Sequence, residues 1–166
     1  TGGAVVGAEV FLSGCGTGPK TEAGFTNKVI ALLNEVGETI IPTTSTPGAK
    51  AAQVGEFMKI WVTDCYTQKE QDAFFAGLPL LDEACIKLHS KPFMDCDAKQ
   101  RHDFLVSLEK EAKEFNTKKE ETDKPLREAA LKEGKEFVAA PPHYYTMMKQ
   151  MTLHGFFTSK TGITET

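Results

Sequence analysis

The chain has 166 residues, of which 40% are hydrophobic and 25% charged, and a formal net charge of −4. That length suits one domain with a substantial core, and the composition is that of an ordinary globular protein rather than a disordered one. The acidic balance, with basic residues interleaved among acids from Glu109 to Lys135, argues against a nucleic-acid partner.

At the N-terminus, Ala4-Val5-Val6-Gly7-Ala8 and Val10-Phe11-Leu12 form an apolar stretch broken by Glu9. It falls short of the ~20 residues a spanning helix needs. It closes in Leu12-Ser13-Gly14-Cys15, as a secretory signal closes in small residues, and this tetrapeptide resembles a bacterial lipobox. Residues 1–15 are read as a signal-peptide remnant with Cys15 as the lipidation site, although no positive n-region precedes them. A chance cysteine in a frayed segment is the alternative. Residues 16–24, rich in Gly, Thr and Pro, read as a tether, and residues 25–166 as the folded domain.

Phe25, Val29, Leu32, Leu33, Val36 and Ile40 recur at spacings of three and four, predicting a first amphipathic helix that stops at Pro42. Thr43 to Gly48 is a loop. A second helix is expected from about Ala49 to Tyr66, with Val54, Phe57, Met58, Trp61, Val62 and Cys65 on a broad apolar stripe. Thr67 and Glu70 have the spacing of a capping box and open a third helix. Its inward positions read as Phe74, Phe75, Leu78, Leu81, Cys85 and Leu88, with Pro79 expected to kink or split it.

Asp97 and Gln100 signal a fourth helix through Phe104, Leu105, Leu108, Ala112 and Phe115. The Lys/Glu-rich stretch from Glu109 to Glu136 predicts a solvated helix end, a mobile connection through Pro125 and a short helix. Pro141-Pro142 starts the last unit, in which Tyr145, Met148, Met151 and Thr152 share a face ahead of Gly155, Phe156 and Phe157. No strand-like alternation of useful length and no repeat appears. The expectation is all-α: a single irregular bundle of about five helices behind an N-terminal tether.

The motifs of cofactor chemistry do not occur. No GxGxxG follows a strand, no Cys-x-x-Cys pair starts a metal or iron–sulfur site, and no Gly-x-Ser-x-Gly elbow is present. No catalytic, cofactor-binding or metal-binding residue is therefore assigned. His89, His102, His143 and His154 stand at no helical metal spacing and read as surface or capping residues. Cys65 beside Asp64 can be drawn as a nucleophile, but a packing role fits its stripe better. Cys85 and Cys96 are close enough in sequence to bridge a helix end to the next helix start; the alternative is that Cys65, Cys85 and Cys96 are three buried free thiols.

Methionine and tyrosine are enriched in interface cores. Trp61, Tyr144, Tyr145, Met148, Met151, Phe156 and Phe157 are accordingly candidates for a partner interface, with an internal core as the competing reading.

Several blocks together resemble a known family. They are Ile40-Ile41-Pro42 with Thr46-Pro47-Gly48-Ala49-Lys50, Asp64-Cys65-Tyr66-Thr67, Gly77-Leu78 and Leu81-Asp82. His143-Tyr144-Tyr145, Leu153-His154-Gly155-Phe156-Phe157-Thr158-Ser159 and Gly162 complete the set. In this order, over about residues 25–162, the chain resembles the gluconate 2-dehydrogenase subunit 3 family. The resemblance implies a small, non-catalytic subunit beside a flavoprotein of the glucose–methanol–choline type. FAD would sit in that partner, with no cofactor in this chain, and electrons would pass on to a cytochrome c. It also implies twin-arginine export, a place in the periplasm or cell envelope and, with Cys15, a lipid anchor in the membrane. The competing readings are a stand-alone lipid-anchored binding protein with a pocket lined by Trp61 and Tyr144, and an enzyme built on Cys65 or scattered His and Asp residues.

Overall fold

A computed structural model describes residues 24–165. All the regular structure among them is helical: α1 (Asn27–Ile40), α2 (Val54–Cys65), α3 (Gln68–His89), a short 3-10 turn (Phe93–Asp95), α4 (Ala98–Lys132), α5 (Tyr144–Thr158) and α6 (Lys160–Thr164). The all-α expectation holds. The signal remnant, Cys15 and nearly all of the tether lie outside the described residues.

Helix starts follow their caps. Thr26 Oγ1 accepts from Val29 N at the head of α1. The Thr67–Glu70 box closes reciprocally at α3, and Asp97–Gln100 does the same at α4. Helix α2 starts later than its apolar stripe suggested, at Val54 rather than Ala49, because Gln53 adopts a left-handed backbone with φ 54°.

Two prolines fail to end their helices. Pro79 lies on the exposed side of α3, while Phe74, Gly77, Leu81 and Cys85 bury the opposite side on both flanks of it. That burial exceeds the roughly 3 kcal/mol a mid-helix proline costs. Pro125 likewise sits inside α4, so the expected mobile connection and separate short helix are one continuous 35-residue helix. Lys and Glu favour helix intrinsically. Lys119–Asp123 at 2.6 Å and Arg127–Glu120 at 3.0 Å add ion pairs, the second spanning the proline. The first half of α4 supplies its apolar packing on the bundle, through Phe104, Leu105, Leu108 and Ala112, while Asp123 is the buried residue farther along.

Helix α5 is the axis of the molecule, touching α1, α2, α3, α4 and α6. It buries Tyr144, Tyr145, Met147, Met148, Met151, Thr152, Gly155 and Phe156, which together occupy most of its circumference. A helix buried over so much of its surface belongs in the middle. Its N-terminus is fixed by Asn116 of α4, whose Oδ1 accepts from His143 N (3.0 Å) and whose Nδ2 donates to Thr146 Oγ1 (2.8 Å). Arg101 ties α4 to α1 through Glu35 and donates to the carbonyls of Phe93 and Met94 in the 3-10 turn.

Candidate functional site

The interface candidates separate sharply by burial. Tyr144, Tyr145, Met148, Met151 and Phe156 lie in the core, so these five hold the bundle together rather than face a partner. The sequence alone showed their apolarity; the neighbours that surround α5 decide which way they face. Trp61 is partly buried and Phe157 is 61% exposed, and these two reach the surface.

Around them an aromatic ridge forms. The ring of His154 meets Trp61 edge-on at 4.9 Å and Phe57 at 5.6 Å, while Phe57 and Trp61 are 5.5 Å apart. Gly155 makes this closeness possible, because a β-carbon there would come within 2.7 Å of the Phe57 ring. Leu153 and Phe157 are exposed near His154 on the same helix, and Ile60 next to Trp61 is 61% exposed. Such a ridge has the aromatic, charge-poor character of an interface centre.

A second feature escaped sequence reading. Between α3 and the first half of α4 lies a groove of about 830 Å³, closed at one end by Pro141, Pro142, His143 and Tyr144. Leu80 and Leu88 of α3 and Phe115 of α4 are exposed along it. Leu88 and Phe115 had been expected inward; the groove is why they are not, since it parts the two helices where those side chains would meet. The signal available was an apolar surplus on α3, too broad for one buried stripe.

His143 is the chemically distinctive residue of the groove. Its Nδ1 accepts from Tyr145 N at 3.2 Å and caps α5, while Nε2 stands 3.8 Å from the Glu111 carboxylate. Burial lowers its pKa from the usual imidazole value, with Glu111 opposing weakly. Burial also pushes the Tyr144 phenol up to about 12. The sign of the pH effect follows. The unfolded chain binds the proton more readily, so stability falls as pH drops through the ordinary histidine range. As pH falls from about 6.5 to about 5, above the titration of the lowered carboxylates Glu38 and Glu109, the wild type's resistance to urea should decrease. His143→Asn keeps an acceptor for the cap and should flatten that slope; an unchanged slope would remove His143 from the account.

The remaining candidates are dispersed. Among the described residues no group of three or more His, Cys, Asp or Glu is placed to hold a metal ion. Cys65 is exposed rather than inward, because α2 ends there beyond the last core contact of Val62. Cys85 and Cys96 are both buried, as free thiols with sulfurs 3.5 Å apart. No described helix is long and apolar enough to cross a membrane.

The family described as gluconate 2-dehydrogenase subunit 3 matches residues 27–166, from the first residue of α1 through the whole bundle. The chain belongs to the gluconate 2-dehydrogenase subunit 3 family. No curated protein and no solved structure gives a significant match. As a subunit 3, the chain is the small subunit of a dehydrogenase complex and works beside a catalytic subunit. The match covers both the ridge and the groove.

Proposed function

We propose that this subunit is itself non-catalytic and grips a catalytic flavoprotein of the glucose–methanol–choline type. FAD is held by that partner, and electrons leave it for a cytochrome c. The observation that carries this reading is the aromatic ridge of Phe57, Trp61, His154 and Phe157 on a bundle whose titratable residues are dispersed. A rigid bundle with an apolar face suits binding and steadying a larger chain. In this reading the subunit assists the folding and export of the flavoprotein to the periplasm, and the lipid on Cys15 holds the pair at the membrane.

Co-expression tests it. The partner flavoprotein is produced with and without this chain, and dye-linked sugar or sugar-acid dehydrogenase activity is assayed in envelope fractions. Most activity should vanish without the subunit. Equal activity in its absence overturns the proposal. A second reading is favoured by the groove, whose volume of about 830 Å³ falls within the range of small-molecule sites. Tyr144 lines it, but Trp61 does not, so the paired pocket expected from sequence is not formed. Gel filtration of material from the native source separates the two: a large flavin-containing species supports the subunit role, and a monomer supports the binding protein.

A further inference from the structure

We propose that Cys85 and Cys96 are a disulfide-forming pair that covalently staples the end of α3 to the start of α4. The two residues are 11 apart in sequence, and their sulfurs approach to 3.5 Å inside the core. A disulfide needs about 2.05 Å between sulfurs. Small rotations of two side chains already pointing at one another supply the difference.

The surroundings favour a staple at this corner. Asp82 Oδ1, one turn before Cys85, accepts from Phe93 N at 3.0 Å and fixes the 3-10 turn against α3. Arg101, one turn into α4, donates to the Phe93 and Met94 carbonyls of the same turn. The backbone between the two cysteines is therefore anchored to both helices. Farther along, the groove separates α3 from α4, so this corner carries much of their mutual alignment. Glu83, Ala84, Lys87 and Leu88, the neighbours of Cys85, line the groove wall. Locking the corner locks that wall.

The oxidant is a disulfide donor: a thiol–disulfide oxidoreductase in the cell, or oxidised glutathione in the tube. Cys96 retains slight exposure whereas Cys85 has none. Burial and the adjacent Cys96 push the Cys85 thiol up to about 12, which makes it the poorer first nucleophile. The Cys96 thiolate attacks one donor sulfur, forming a mixed disulfide and releasing one donor thiol. Cys85 then loses its proton and attacks Cys96 Sγ, expelling the second donor thiol. Two protons leave the protein, and two electrons reduce the donor. Because both sulfurs are buried, the bond forms during folding or on local opening of the 90–97 turn, and afterwards is shielded from reductant.

The full chain, refolded across a series of reduced-to-oxidised glutathione ratios, provides the test. Free thiols are alkylated in denaturant and the protein is digested with trypsin without reduction. Cleavage after Lys69, Lys87 and Lys99 gives peptides 70–87 and 88–99, since Lys91 precedes Pro92. At oxidising ratios these two peptides should appear linked, lighter by two hydrogens than their sum. In urea, the oxidised chain should favour the folded state by roughly 100-fold over the reduced chain, as expected for so short a closed loop. Two outcomes overturn the proposal: both cysteines alkylated at every ratio, or either of them linked to Cys65 or Cys15 instead. The inference draws on the export reading only for where the chain meets its oxidant. Fractionation of cells reads localisation separately, so a chain retained in the cytoplasm would sink that reading and leave the glutathione result standing.

Discussion

Met148→Lys is expected to abolish folding, whereas Phe157→Lys, nine residues along the same helix, should fold like the wild type and lose its partner. Met148 is fully buried at the centre of α5. A lysine there must either bury an unpaired ammonium or give up its proton, and the thioether's packing is lost in both cases. The cost is on the order of 5 kcal/mol, comparable with the whole stability of a small domain. Phe157 is 61% exposed, so its replacement should shift stability by no more than about 0.5 kcal/mol. If the ridge is the contact, the same replacement should weaken association by about 2 kcal/mol, or roughly 30-fold in Kd. Circular dichroism and urea unfolding read the first effect, and co-purification with the catalytic subunit reads the second. A folded Met148→Lys chain would show that α5 is not the core helix. Unchanged co-purification of Phe157→Lys would move the contact away from the ridge and make the α3–α4 groove the next surface to test.

That contrast marks how far the sequence reaches. Local signals were sufficient for the helix starts, because Thr67 with Glu70 and Asp97 with Gln100 act within one turn and need no tertiary neighbour. The all-α class followed from spacing alone. What stayed hidden was the direction of residues on helices with no polar side. Tyr145, Met148 and Phe156 have the composition of an interface, and only the four other long helices packed around α5 make them core. The prolines misled for a related reason. Pro79 and Pro125 carry a real local cost, yet burial on both flanks outweighs it at the first, and the second stands in a long run of helix-favouring Lys and Glu with ion pairs before and across it. Spacing placed Cys85 and Cys96 within reach of each other, and the fold sets their sulfurs in contact. The groove was illegible, since its walls come from α3 and α4 and its end from residues 140–144, which no local pattern relates.

A close approach between α3 and α5 gives the other large effect. In a helix interior, Gly→Ala ordinarily stabilises by about 1 kcal/mol, because glycine has more conformational freedom to lose. At Gly77 the sign should reverse. A β-carbon there would lie 2.3 Å from both Cβ and Cγ of Tyr144, the root of that side chain rather than its flexible end. Tyr144 cannot back away cheaply, because its neighbours are anchored on either side: His143 N to Asn116, and Tyr145 N to His143 Nδ1. Helices α3 and α5 must therefore separate, at an overpacking cost of about 3 kcal/mol, which after the helix-propensity gain leaves Gly77→Ala about 2 kcal/mol less stable than the wild type. Gly155→Ala serves as the comparison. Its β-carbon would meet the ring of Phe57 at 2.7 Å, and that ring lies partly at the surface where it can swing outward, so its loss should be the smaller. Urea midpoints for the two variants test the order directly. If Gly77→Ala is neutral or stabilising, α5 does not lie against α3 at this point, and the end of the groove formed by His143 and Tyr144 would have to be redrawn.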